Sequence, residues 1–157
     1  MNWRRAQVLS AFLLAGGLSF AQPPPGWRLG PDPSWPGSGG WGPGGSYGRA
    51  YNLVTVETVR GEVKGVDRMT PRKGMSYGIH LMLDMGEGLI PVHLGPGWFI
   101  ERQDMKLNVG DSVEIRGSLV TFDGAPAIIA AEVRKGSETL ILRDGMGFPV
   151  WAGWRRR

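Results

Sequence analysis

Apolar and polar residues alternate most regularly between residues 75 and 94, which read MSYGIHLMLDMGEGLIPVHL. Three apolar residues alternate with other types on each side of a glycine-containing connector, as in two paired strands. A two-residue turn at Gly86 and Glu87 predicts that Leu83 pairs with Ile90, Leu81 with Val92, and Ile79 with Leu94, all on one face. The same register places His80 opposite His93, the two histidines of the chain, on the face away from the core.

Further strand patterns flank this hairpin. A β-branched, glycine-interrupted segment precedes it at residues 51–66, and two strands joined by an Asp-Gly turn follow it at residues 112–122 and 126–134. Between them GPGW opens a short helix-compatible segment, and residues 138–143 add a sixth strand. We therefore predict a mainly all-β fold: a five-stranded OB-like Greek-key barrel with a short helix between strands 3 and 4 and an extra C-terminal strand.

The two ends of the chain differ from this domain. Residues 1–21 combine a basic start, an apolar stretch and a Ser-Phe-Ala end, which predicts a secretory signal peptide, with an uncleaved anchor as the alternative. Residues 22–50 are rich in Pro and Gly and predict a disordered arm, whose tryptophans either recognise a partner or pack back on the domain. The barrel is expected at residues 51–144, followed by a C-terminal tail with a basic end at 145–157.

We expect an exported protein of the periplasm or cell envelope, with no transmembrane segment after signal cleavage. The chain has no cysteine, which excludes disulfides, thiolate metal sites and a cysteine nucleophile. Its formal net charge is +4, but the body of the chain is nearly neutral because basic residues concentrate at the two ends, which argues against a nucleic-acid partner. No G-x-S-x-G elbow, P-loop, H-E-x-x-H helix or dinucleotide fingerprint is present in the sequence, so we predict no enzyme.

Several segments resemble a poorly characterised group of exported bacterial OB-fold proteins that often carry a generic DNA-binding label. These segments read GEVKGV, IPVHLGPGWFIE, VGDSVEIRGSLVTFDGAPAIIAAEV and LRDGMGFPVW. The resemblance covers residues 51–154 and is similar in plan to the periplasmic bacterial OB-fold stress proteins, which lack the HLGPGW segment. It implies an OB barrel and supplies no catalytic residue.

OB domains usually bind ligands on the face of strands 2 and 3 and on the loops beside it. The ligand-binding residues predicted there are His80, Met82, His93, Trp98, Arg68, Arg72 and Lys73. We expect a non-catalytic interaction module that docks an envelope protein or a small anionic ligand on this face. The two histidines would lie at its centre, the three basic residues would supply charge, and Trp98 would supply contact area or, alternatively, cap the end of the barrel.

Two other functions use the same face. His80 and His93 with Met82 could bind copper or zinc, although two histidines without cysteines form an incomplete site. In the alternative interpretation the histidines are structural and no cofactor is bound. Single-stranded nucleic-acid binding is the second alternative, and it needs stacking aromatic residues and positive potential on that face.

Overall fold

Six strands and one short α-helix form the main regular structure of residues 39–153, the part of the chain that the computed structural model describes. The elements are β1 (Val56–Met69), β2 (Gly78–Asp84), β3 (Leu89–Pro96), α1 (Gly97–Ile100), β4 (Ser112–Phe122), β5 (Ala125–Lys135) and β6 (Glu138–Ile141). The predicted signal peptide, residues 22–38 of the predicted arm and the last four residues lie outside the described residues.

The strands close into a barrel. Strand β1 pairs antiparallel with both β2 and β4, β2 pairs with β3, and β4 pairs with β5. A short parallel pairing of β3 with β5 completes the ring, and β6 extends β5. This pairing order, with α1 between β3 and β4, is that of the OB barrel, so the predicted fold class is confirmed.

The β2–β3 register agrees with the sequence prediction over most of its length. His80 pairs with His93, Leu81 with Val92 and Leu83 with Ile90. The backbone N–H of Met85 donates to the carbonyl of Gly88 at 3.3 Å across the turn, and Gly86 has a φ of +87°. The predicted Ile79–Leu94 pair is wrong, because a register shift next to His80 pairs Ile79 with Gly95 instead.

Strand β1 begins later than predicted. Residues 53–55 form a 3-10 turn, because the Asn52 side chain accepts a hydrogen bond from the N–H of Val54 and caps the turn. The strand then runs on to Met69, with a register shift between Val63 and Gly65, in the glycine-interrupted part of the strand.

The other predicted turn, between β4 and β5, has positive φ at both central residues. Asp123 has a φ of +50° and Gly124 a φ of +80°, as a type I′ hairpin turn requires. The predicted helix is shorter than its pattern allows, since α1 is a single turn entered from Pro96.

The barrel interior is filled by the inward side chains of all five barrel strands. The most deeply buried of these are Val63, Leu81, Leu83, Val92, Ile115 and Val133, each with 0% exposure. The predicted alternation of the hairpin therefore places its apolar face in this core.

Segments from both ends of the described chain pack on the outside of the barrel. Trp41 and Tyr47 are each 2% exposed and Trp151 is 1% exposed. The packing of the described residues therefore includes Trp41 and Tyr47, from the predicted arm, and Trp151, from the predicted tail. Large aromatic side chains bury enough apolar surface to hold a Pro- and Gly-rich segment in place. The other two tryptophans of the predicted arm lie outside the described residues.

Candidate functional site

The outer face of the β2–β3 hairpin carries the two histidines. Cross-strand pairing brings the rings of His80 and His93 to a centroid separation of 6.2 Å, with their planes 24° apart. The hairpin thus brings the predicted pair together, but the two imidazoles are in different surroundings. His93 is 2% exposed, whereas His80 is only partly buried.

A segment that we call the strap, residues 39–51, covers His93. Tyr47 lies nearly parallel to the His93 ring, with centroids 5.9 Å apart and an interplanar angle of 16°. The Tyr47 hydroxyl and His93 Nδ1 share a buried hydrogen bond of 2.9 Å. Phe122, at the end of β4, meets the same imidazole edge-on at 4.8 Å. His93 is therefore enclosed by two aromatic side chains.

Two glycines of the hairpin make room for the tryptophans beside it. A Cβ on Gly78 would overlap the ring of Trp41, and a Cβ on Gly95 would lie 2.8 Å from the ring of Trp151. The indole N–H of Trp41 donates to the carbonyl of Ser76 at 3.0 Å, and that of Trp151 donates to the carbonyl of Trp41 at 2.9 Å. The glycines thus allow close ring packing, and the hydrogen bonds satisfy both buried indoles.

Burial controls the protonation of the covered groups. Removal from water, followed by the nearby positive charge of His80, lowers the pKa of His93 to about 4. Burial also raises the pKa of the Tyr47 phenol. Both members of the hydrogen-bonded pair are therefore neutral near pH 7, and the covered part of the face carries no charge of its own.

The face stays partly accessible at His80. Its side chain is 21% exposed, and Nε2 lies 3.8 Å from Oδ2 of Asp67, the opposing residue on β1. Nδ1 of His80 is buried without a hydrogen-bond partner among the described residues. Met82, two residues further along β2, is half-buried on the same side of the strand.

The β1–β2 loop brings one predicted basic residue close to this face. The Arg72 guanidinium lies 5.5 Å from the centroid of the Phe122 ring, which itself contacts His93. Lys73 is exposed beside Arg72. Neither residue forms an ion pair within residues 39–153, so their charges remain available to a partner.

Two predicted site residues are directed elsewhere. Arg68 forms a 3.0 Å ion pair with Glu101 and lies 4.7 Å from the ring centroid of Tyr77. Trp98 is half-buried on α1, where its ring meets Phe99, and its buried indole nitrogen has no partner in the described part of the chain. Glu101, directly after α1, and Phe99 on α1 are thus partners of these two side chains.

Sequence reasoning missed Tyr47 and Trp41 as parts of this face. Neither lies in an alternating pattern, and each contacts residues far away in sequence: Tyr47 and His93 are 46 positions apart. The available signal was the presence of large aromatic residues in a Pro- and Gly-rich segment, where little else can be buried.

The described residues contain no group of three or more His, Cys, Asp and Glu side chains that could hold a metal ion. The hydrogen bond to Tyr47 already engages Nδ1 of His93. Copper or zinc binding by His80, His93 and Met82 therefore stays a prediction. As for the membrane, none of the helices between residues 39 and 153 is long and apolar enough to cross it.

Comparison with known proteins gives one result that bears on function. The family model of the MamS/MamX magnetosome proteins matches residues 55–140, more than half of the 157-residue chain. The match begins just before β1 and ends within β6, so it spans the whole barrel and omits the strap. No curated protein matches the chain.

Proposed function

The chain belongs to the MamS/MamX magnetosome protein family, and from that premise we propose that it is a non-catalytic, envelope-associated binding module of magnetosome-forming cells. Its partner is a polypeptide segment that docks on the outer face of β2 and β3. The surface that remains for docking consists of His80, Met82, Arg72 and Lys73, which we call the open part of the face.

One observation carries this proposal: the chain's own Tyr47 already uses this face as a docking surface. The strap contributes a ring that packs on His93 and a hydroxyl that hydrogen-bonds to it, while Phe122 and Arg72 close the side. An irregular polypeptide segment is thus recognised by packing and by one polar contact, as a partner segment would be. The open part of the face continues this surface along β2.

The charges of the open part favour a partner with acidic side chains. Arg72 and Lys73 are exposed and lack ion pairs in residues 39–153. A carboxylate placed here would gain interaction with these cations at low ionic strength. The Asp67 side chain lies next to His80 and is 65% exposed, and it would orient the partner by repelling a misplaced carboxylate.

Site-specific photo-crosslinking in the producing cells tests the proposal. A benzoylphenylalanine in place of Lys73 should give a defined protein adduct, and His80→Ala or Arg72→Ala should reduce its yield several-fold. The matched control carries the same group at Arg60, an exposed β1 residue paired with Glu114. The proposal fails if Lys73 gives no adduct, or if both positions give the same adduct in equal yield.

The same experiment addresses nucleic acid as the alternative partner. An adduct at position 73 that is removed by nuclease and not by protease would indicate a nucleic-acid ligand and would overturn the proposed polypeptide partner. Binding to nucleic acid would also weaken steeply with added salt.

A further inference from the structure

A second surface lies where the strap meets the C-terminal segment. A cleft of about 530 Å³ is lined by residues 48–53 on one side and by residues 146–148 on the other. The two segments approach each other closely at Gly147, where a Cβ would lie 2.7 Å from the ring of Tyr51. This surface is built from segments outside the open part of the β2–β3 face.

Four apolar side chains at the tips of these two segments are exposed. Leu53 is 48%, Val54 91%, Met146 69% and Phe148 53% exposed. We call these four residues the apolar tips. Ten large hydrophobic residues are exposed in the described part of the chain, and four of them are concentrated here. A concentration of this kind is typical of a surface that meets another apolar phase.

Short hydrogen-bonded turns hold the apolar tips outward. The Asn52 side chain accepts the N–H of Val54 at 2.9 Å. Oδ1 of Asp144 accepts the N–H groups of both Met146 and Phe148, each at 2.9 Å. Their exposure is therefore set by capped turns.

Positive charge surrounds the apolar tips. Arg49 is exposed and lines the cleft. The Arg143 guanidinium lies 4.9 Å from the centroid of the Tyr51 ring but is only 4% exposed. The Asp144 carboxylate is exposed, and its Oδ1 is engaged by the turn that carries Met146 and Phe148. The described chain ends at Gly153, five positions after Phe148, and the sequence continues as Trp-Arg-Arg-Arg.

We propose that the apolar tips dock on a lipid bilayer that contains anionic headgroups. Exposed apolar side chains on rigid turns can enter the interfacial region, while arginines beside them meet the lipid phosphates. A second copy of the chain fits the surface less well, because a two-fold contact on this surface would bring the exposed Arg49 of both copies into one interface. Charge complementarity therefore selects the anionic bilayer as the partner.

Co-sedimentation with vesicles tests this docking. The chain from Gln22 onward is mixed with phosphatidylcholine vesicles that contain or lack phosphatidylglycerol, at low and high salt. We expect binding to the anionic vesicles that falls with salt. The double variant Met146→Ser, Phe148→Ser should lose binding at least tenfold, and replacing Arg155, Arg156 and Arg157 with Gln should lower it several-fold.

The matched control replaces Leu89 and Val109 with Ser. Leu89 is 58% exposed at the start of β3, and Val109 is 64% exposed in the loop before β4. The control should bind as the unchanged chain does, and unaltered thermal unfolding of each variant shows that folding is intact. Absence of binding to anionic vesicles would overturn the proposal. So would a concentration-dependent dimer that the Met146→Ser, Phe148→Ser variant abolishes, since the surface would then be occupied by a second copy.

Discussion

The two faces of the β2–β3 hairpin are both buried over much of their area, but different parts of the chain bury them. Leu81 and Leu83 face the barrel interior and pack against the other barrel strands. On the opposite face Tyr47 covers His93 and Trp41 covers Gly78, from a segment that precedes the barrel. The inner face follows a strict apolar alternation, whereas the outer face combines glycines and a histidine with distant aromatic rings.

This difference shows that the outer face of a barrel hairpin can be covered by a segment of the same chain. The inner face is buried in any sequence that closes the barrel, because its apolar side chains have no alternative to the core. Burial of the outer face depends on particular contacts with Trp41 and Tyr47. The stabilities of variants at these contacts therefore test whether the strap contributes to the folded unit.

The largest expected effect is that of Trp41→Ala. Truncation of a fully buried tryptophan lowers the free energy of unfolding by about 4 kcal/mol, somewhat more than Leu81→Ala on the inner face, for which we expect about 3 kcal/mol. Urea denaturation of both variants measures the two values. Val54→Ala, at a residue 91% exposed, serves as the control. A loss for Trp41→Ala as small as that of the control would show that the strap does not belong to the folded unit.

The next effect is a pH dependence that only the outer face should show. The pKa of His93 is about 4 in the folded state and near the ordinary histidine value of 6.5 when unfolded, so the unfolded state binds more protons between these two pH values. Stability is therefore complete above pH 6.5, falls as the pH is lowered to 4 and loses about 3 kcal/mol from this group, at ~1.4 kcal/mol per pKa unit.

Comparison of two histidine variants isolates that contribution. His93→Gln should flatten the decline of the unfolding free energy between pH 7 and 4, whereas His80→Gln should leave it largely unchanged. Equal slopes for His93→Gln and the unchanged chain would show that His93 is not buried under Tyr47.

The same contrast explains which parts of the structure could be predicted from the sequence. The alternation around Leu81 and the Asp123-Gly124 turn fix strand position and register locally, so the barrel and the His80–His93 pairing could be anticipated. The covering of the outer face by the strap could not be anticipated, because Tyr47 carries no periodic signal and its partner His93 is 46 positions away. The ion pair of Arg68 could not be anticipated for a related reason, since its partner Glu101 follows a helix whose direction no local pattern indicates.

A third test measures how much stability is lost when an extra methyl group is added to the packed outer face. Gly78→Ala adds a methyl group where the Trp41 ring already lies, and overpacking of this kind lowers stability by about 2 kcal/mol. Gly145→Ala is the matched control, because that glycine has no neighbour within 4 Å and no positive φ. In a Trp41→Ala background the effect of Gly78→Ala should shrink. An additive double variant would show that the two residues do not contact each other.

The smallest effect concerns one hydroxyl. Tyr47→Phe keeps the ring over His93 and removes the hydrogen bond to Nδ1, which leaves a buried nitrogen unpaired and lowers the unfolding free energy by about 1 kcal/mol. Tyr77→Phe is the matched control, because the Tyr77 hydroxyl donates to Glu101 at 2.9 Å on the exposed surface, where water can replace it. Its effect should be clearly smaller. If both variants lose the same stability, the Tyr47 hydroxyl is as accessible to water as that of Tyr77, and the strap leaves the face open in solution.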